Sequence, residues 1–266
     1  MGLHEELKNL EKVHDDTGVL TIYLNTDLGN GDQQNGEWKI RLKNGLKKLR
    51  EYIEQDGTKD ELKAYKKLAD KANQRIYDVQ TDMQKSFVFI ASADGDIHSE
   101  KILQVPVETQ FHWETAPVLN QLVEMQSEFP PAGIALVQKS DVVLIDTALG
   151  EIRDKKIFNW EIETEDWKQY EGTAAASLIS SGSTQIDGFK RRFDENRQRW
   201  YKKLAPEIDK TVKKREMQGL YLVGDKEYVQ ELEKHLGSEV LNVIPKNLIS
   251  KPDHEVINEV YEENIR

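Results

Sequence analysis

Apolar β-branched runs, helical periodicity between them, and a Pro130-Pro131 pair near the middle of a 266-residue chain predict an α/β protein of α+β character in two domains, residues 1–130 and 131–266. The length is ample for two cores. Two successive prolines neither continue a helix nor donate to a central ladder, so the boundary is placed there. The first domain is expected to carry an α-hairpin, and the second a mixed sheet flanked by helices.

Residues 3–14 read as a short helix, and residues 18–24 as a buried first strand bounded by Gly18 and by Asn25-Thr26-Asp27. Residues 28–36, with Gly29, Gly31 and Gly36 among polar residues, read as a loop. The spacing Trp38, Leu42, Leu46, Leu49, Ile53 predicts one helix, and Leu62, Tyr65, Ala69, Ala72, Ile76 a second. The break at Asp56-Gly57 makes the pair an α-hairpin. Residues 86–92 read as a strand, Asp94-Gly95 as a turn, and residues 97–107 as the partner strand. A strand at 108–113 and a helix carrying Leu119, Leu122 and Val123 close the first half.

Beyond the prolines, residues 133–137, 141–146 and 151–160 predict three strands of an antiparallel meander. A loop follows at 172–185, then a long basic helix that Pro206 should kink or divide. Residues 219–223 read as a buried strand, 225–235 as a helix capped by Asp225, 239–244 as a strand, and 254–265 as a closing helix.

The chain has no cysteine, which excludes disulfides and thiolate chemistry and agrees with a reducing cytoplasm. Its six histidines show no metal-ligand spacing, so no metal is expected. The start is charged at once, and the most apolar stretch, 132–149, is interrupted by Lys139, Asp141 and Asp146. Neither a signal peptide nor a membrane span is expected, and the predicted location is cytoplasmic. Asp15, Asp16, Asp94 and Asp96 fall in turns, where aspartate serves the local backbone. The five tryptophans are spread along the chain and are expected to pack in cores.

A net charge of −11 argues against nucleic-acid binding over the whole surface and leaves only a local basic site. Residues 187–215 provide one, with 11 basic and 5 acidic side chains. Phe189, Phe193, Trp200, Leu204, Ile208 and Val212 recur at spacings of four and seven as one helix face. Lys190, Arg191, Arg192, Arg197, Arg199, Lys202 and Lys203 are the candidate phosphate contacts. The preceding small-residue loop ends in Gly182-Ser183-Thr184-Gln185 and reads as mobile and exposed. A loop followed by a merely solvated helix accounts for the same pattern.

In this order the chain resembles the first two domains of the archaeo-eukaryotic class I peptide release factor superfamily, which includes Pelota and the Vms-type tRNA hydrolases. The resemblance rests on residues 133–145, on Leu149-Gly150-Glu151-Ile152, on the Gly-rich loop leading to Phe189-Lys190-Arg191-Arg192-Phe193, and on residues 219–224. It implies a bacterial member, expected to lack the third domain that recruits a GTPase. The family's Gly-Gly-Gln tripeptide is replaced here by the Gly-x-x-Gln form, and its Asn-Ile-Lys-Ser stop-codon motif by Gln55-Asp56-Gly57-Thr58-Lys59-Asp60. Rescue of stalled chains is therefore expected rather than stop-codon decoding.

The resemblance implies hydrolysis of the ester between nascent peptide and tRNA, with the ribosome or large subunit and peptidyl-tRNA as partners, and no cofactor, membrane or DNA. Gly182 would let the backbone approach RNA closely, Ser183 and Thr184 would complete the tip, and Gln185 would orient the attacking water. Cleavage near the tRNA 3′ end, and a ribosome- or tRNA-binding factor that has lost catalysis, are the alternative readings.

Overall fold

A computed structural model of the chain describes residues 3–27, 36–160, 167–171 and 186–265. Two compact units result, the first comprising Met1–Phe129 with Leu149–Glu151, the second Pro130–Ala148 with Ile152–Arg266. Both mix helices and sheet, as the sequence predicts for an α+β chain.

The first unit contains α1 (Leu3–Glu11), β1 (Val19–Asn25), α2 (Glu37–Asp56), α3 (Lys59–Asp78), β2 (Ser86–Ser92), β3 (His98–Leu103), β4 (Gln110–Glu114) and α4 (Asn120–Glu128). Its antiparallel sheet has the order β3-β2-β1-β4. Central position explains why β1 and β2 are almost entirely buried and read as continuous apolar runs. The hairpin packs Trp38, Leu42, Tyr65, Ala72 and Ile76 on Leu20, Ile22, Leu24, Phe87 and Phe89. At its tip Thr58 and Glu61 form a reciprocal cap, with Glu61 N donating to Thr58 Oγ1 at 3.2 Å and Thr58 N to Glu61 Oε2 at 2.7 Å. Gly45 lets α2 close on β4, since a Cβ there would lie 2.3 Å from the Phe111 ring.

The strand expected over 97–107 ends at Leu103. Beyond it Gln104 N turns to Gly150 O, and Val107 N bonds to Ser86 Oγ, so the ladder is left. The loop expected at 28–36 lies outside the described residues except for Gly36. Asp15 serves its turn as expected, accepting from Thr17 N at 2.8 Å and Asp94 N at 2.8 Å.

The second unit contains β5 (Ala132–Val137), β6 (Asp141–Ala148), most of β7 (Glu151–Trp160), β8 (Trp167–Glu171), α5 (Ile186–Lys214), β9 (Leu220–Gly224), α6 (Lys226–Glu233), β10 (Val240–Ile244) and α7 (Asp253–Ile265). The sheet order is β10-β9-β5-β6-β7-β8. β10, β9 and β5 are parallel neighbours, whereas β5 with β6 and β7 with β8 are antiparallel, which makes the sheet mixed. Its core joins Ala135, Val137, Val142, Leu144, Phe158 and Trp160 to Trp200, Tyr201, Leu204, Ile208 and Val212 of α5 and to Val229 and Leu232 of α6. Trp160 and Trp200 stack with centroids 6.2 Å apart and planes at 20°.

One element is new and one expectation is corrected. β8 was not anticipated, because Trp167-Lys168-Gln169-Tyr170-Glu171 has too little apolar content to announce a strand. Pro206 does not divide the basic helix, which runs unbroken from Ile186 to Lys214. Its apolar face on both sides of the proline is buried in the same core, and that packing carries the helix past the missing backbone donor.

Candidate nucleic-acid interface

The candidate site is built on α5. The helix begins at Ile186, immediately after the segment expected to be the loop. That segment, with Gly182, Ser183, Thr184 and Gln185, lies outside the described residues. So do the side chains of Lys190, Arg191 and Arg192, whose backbone belongs to α5. From Asp194 onward the side chains divide into a buried and a charged face. Tyr201 is buried and donates to Gln138 O at 2.8 Å, fixing the helix to the end of β5. Burial pushes its phenol well above the ordinary value, so it remains a donor at all physiological pH.

Arg199, Lys202, Lys203, Lys210, Lys213 and Lys214 are exposed. At 3.6 residues per turn these six positions fall within an arc of about 120°. The result is a cationic stripe along the solvent side of one helix. Such a stripe supplies sequence-independent phosphate contacts at low ordering cost, because the backbone beneath it is fixed by the core.

Arg197 does not belong to that stripe, and its assignment as a phosphate contact is corrected. Its side chain is only 4% exposed and meets three carboxylates: Glu231 at 2.8 Å, Glu227 at 2.9 Å and Asp194 at 3.2 Å. Its guanidinium also lies 4.8 Å from the Tyr228 ring centroid. An arginine this buried, with a carboxylate at each of its three nitrogens, ties α5 to α6 and is not presented to solvent or RNA. At the other end, Arg215 meets Asp146 at 3.3 Å and Asp154 at 3.1 Å, and Arg153 donates to Asp146 Oδ1 at 3.0 Å. Burial raises the Asp146 carboxyl above its ordinary value, and the two arginines oppose that rise.

A second cationic concentration, unmarked by the sequence pattern, lies on the hairpin of the first unit. Lys39, Lys43, Lys47, Arg50 and Lys66 surround a groove of about 530 Å³ with Ile40, Leu46, Tyr65 and Tyr77. Three of these cations are already near carboxylates, Lys47 at Glu51 and both Arg50 and Lys66 at Glu54. The α5 stripe is the less neutralised of the two.

Among the described residues no group of three His, Cys, Asp or Glu side chains is placed to hold a metal ion. No helix among them is long and apolar enough to cross a membrane.

One unit carries an antiparallel sheet with an α-hairpin and the other a mixed sheet with a long basic helix, and comparison with known families gives the class: a release-factor-like protein. Residues 130–262 match bacterial archaeo-eukaryotic release factor family 5, and the chain belongs to that family. It is also similar to an uncharacterized protein of Bacillus subtilis (strain 168), YocB, at 32% identity over 245 residues, 92% of each chain. Looser likenesses reach solved structures: an archaeal protein at 15% identity (99% of this chain, 73% of that one, TM-score 0.33) and the archaeal translation termination factor aRF1 at 13% (99% and 75%, TM-score 0.31). The resemblance to the class I release factor superfamily read from the sequence therefore stands, and with it a role connected to translation.

Proposed function

We propose that the chain hydrolyses the ester of peptidyl-tRNA on stalled ribosomes or large subunits, releasing the nascent peptide without decoding a stop codon. The observation that carries this reading is the exposed stripe of Arg199, Lys202 and Lys203, on the helix that begins one residue after Gln185. Family membership supports the same direction. In this reading residues 1–130 form the release-factor-like N-terminal domain and residues 131–266 the middle domain that carries the Gly-x-x-Gln loop. The stripe, together with Lys190, Arg191 and Arg192, holds phosphates near the tRNA end. Gln185, aided by Gly182, Ser183 and Thr184, orients water against an ester that is already activated. Rate then comes from positioning rather than from a protein nucleophile.

The test is single-turnover release of labelled peptide from stalled ribosomes or large subunits. Gln185→Ala should leave ribosome association intact and slow release by about the 2.7–4 kcal/mol that losing one oriented polar group costs. Gln169→Ala should release at the wild-type rate. Free peptide with intact tRNA supports hydrolysis; tRNA shortened at its 3′ end replaces it with cleavage; binding with neither product leaves a non-catalytic factor.

A further inference from the structure

The second unit holds a cavity that the basic helix does not use. The three parallel strands β10, β9 and β5 end on one side of the sheet, and their carboxyl ends lead into Pro245-Lys246-Asn247, Asp225 and Gln138-Lys139. From β5 the chain turns into β6 on one flank, whereas from β9 it passes through α6 to β10 on the other. The crevice between β5 and β9 is thus a topological switch point, where open α/β sheets bind ligands. Gly224 makes it possible: its φ is +151°, and a Cβ there would lie 2.2 Å from Val137 O.

A cavity of about 440 Å³ occupies this place, lined by Val137, Gln138, Lys139, Asp225, Tyr228, Pro245, Lys246 and Asn247. That volume is within the roughly 300–1,000 Å³ of small-molecule sites. The lining chemistry narrows the ligand. Lys246 is matched by Glu259 and Glu263, each at 2.7 Å, and the Asp225 carboxylate also lines the cavity, so it is not built for an isolated anion. Gln138 Nε2 donates to Asn247 Oδ1 at 3.0 Å, joining the two amides. That bond leaves the Gln138 carbonyl oxygen to accept and the Asn247 amide nitrogen to donate. Tyr228 adds a half-buried ring, one face of which is covered by the Arg197 guanidinium 4.8 Å from the centroid, so that a ligand meets it on the other face.

A flat ring in one cavity with an amide acceptor and an amide donor fits a planar heterocycle that carries both complementary groups. We infer that this cavity is a nucleobase-binding site, in which the base stacks on Tyr228 and is read by the Gln138–Asn247 amide pair. The base comes either from a free nucleoside or nucleotide or from an unpaired nucleotide of RNA. The site stands on the geometry of the second unit and is independent of ester hydrolysis.

The test titrates the full-length protein with adenosine, cytidine, guanosine and uridine at millimolar concentration, with ribose as control, followed by NMR amide shifts. The expected result is saturable shifts confined to residues 137–139, 225–228 and 245–247 for at least one nucleoside and none for ribose. Asn247→Ala, an exposed change that leaves the fold intact, should weaken that binding about tenfold or more, as loss of a polar contact to the base would. Tyr228→Phe should retain it and Tyr228→Ala should lose it; if Tyr228→Ala does not fold, Asn247→Ala decides. No shift with any nucleoside, equal shifts with ribose, or binding unaffected by Asn247→Ala overturns the site. A short RNA duplex with an unpaired 3′ overhang, compared with its blunt form, identifies the source. Overhang binding at least tenfold tighter than the free nucleoside assigns the site to RNA, and the converse assigns it to a free nucleotide.

Discussion

Arg197 and Arg199 stand two residues apart on α5 and have opposite fates. Arg199 is exposed, whereas Arg197 is enclosed by Glu231, Glu227 and Asp194. Nothing in the local sequence separates them, because the two deciding carboxylates lie 30 and 34 positions away on α6. Removing Arg197 leaves the Glu231 carboxylate, 9% exposed, without its counter-charge, so Arg197→Ala should destabilise the protein by about 3–5 kcal/mol. Arg199→Ala should stay within about 0.5 kcal/mol of wild type. Urea unfolding of the two variants side by side checks the assignment, and equal stabilities would return Arg197 to the candidate phosphate contacts. A pH-dependent case is Asp15. Burial pushes its carboxyl up, but N–H donors from Asp94, Thr17, Gly18 and Ala93 outweigh burial and hold it below the ordinary value. A carboxyl depressed in the folded state stabilises above its unfolded pKa and ceases to do so as pH falls through the folded one. Asp15→Asn should therefore be less stable than wild type near neutrality, and the gap should close as the solution is acidified below the ordinary aspartate range.

At the scale of elements, helices and buried strands were readable because their periods are imposed by one apolar face. The hairpin, β1, β5, β6 and β9 bury most of the residues that the spacing names, with Leu46, Leu49 and Leu62 of the hairpin half-buried at the edge of the core. β8 escaped notice because its sequence carries no such run, and the stacking of Trp160 on Trp200 was hidden by a separation of 40 positions. The candidate interface was legible as charge but not as geometry, since only the packed structure separates the solvent stripe from Arg197. α5 offers two tests. Pro206 leaves the Lys202 carbonyl without a helical donor and is itself exposed, so Pro206→Ala should stabilise by about 1–2 kcal/mol, raising the thermal midpoint, after allowance for the freer unfolded chain. If the stripe binds RNA, joint replacement of Arg199, Lys202 and Lys203 by glutamate should weaken tRNA or ribosome association and reduce the log–log salt slope by about 2–3, at roughly 0.7–0.9 per phosphate contact. An unchanged slope would show the stripe to be solvated surface alone.

At the scale of the whole molecule, the two units are not joined by a single crossing. The chain leaves the first unit after Phe129, returns to it for Leu149–Glu151, and leaves again at Ile152. Those three residues are part of the first unit's structure: Leu149 is fully buried and its N–H donates to Phe129 O at 2.9 Å, and Gly150 O accepts from Gln104 N. Glu151 stands 3.1 Å from Lys101, an ammonium group only 6% exposed whose other carboxylate is Glu6 at 2.8 Å. A cut at the Pro130-Pro131 boundary therefore takes an apolar side chain and one of two counter-charges from the first unit. Fragment 1–129 should unfold at a lower urea concentration than the same unit in the intact chain, by more than loss of one leucine explains, because the buried ammonium is also left half-paired. Leu149→Ala in the full chain isolates the apolar part and should cost about 2–5 kcal/mol. Adding Glu151→Ala to that variant should widen the loss toward that of the fragment. A fragment as stable as the unit in the intact chain would mean that residues 149–151 cover the first unit without stabilising it.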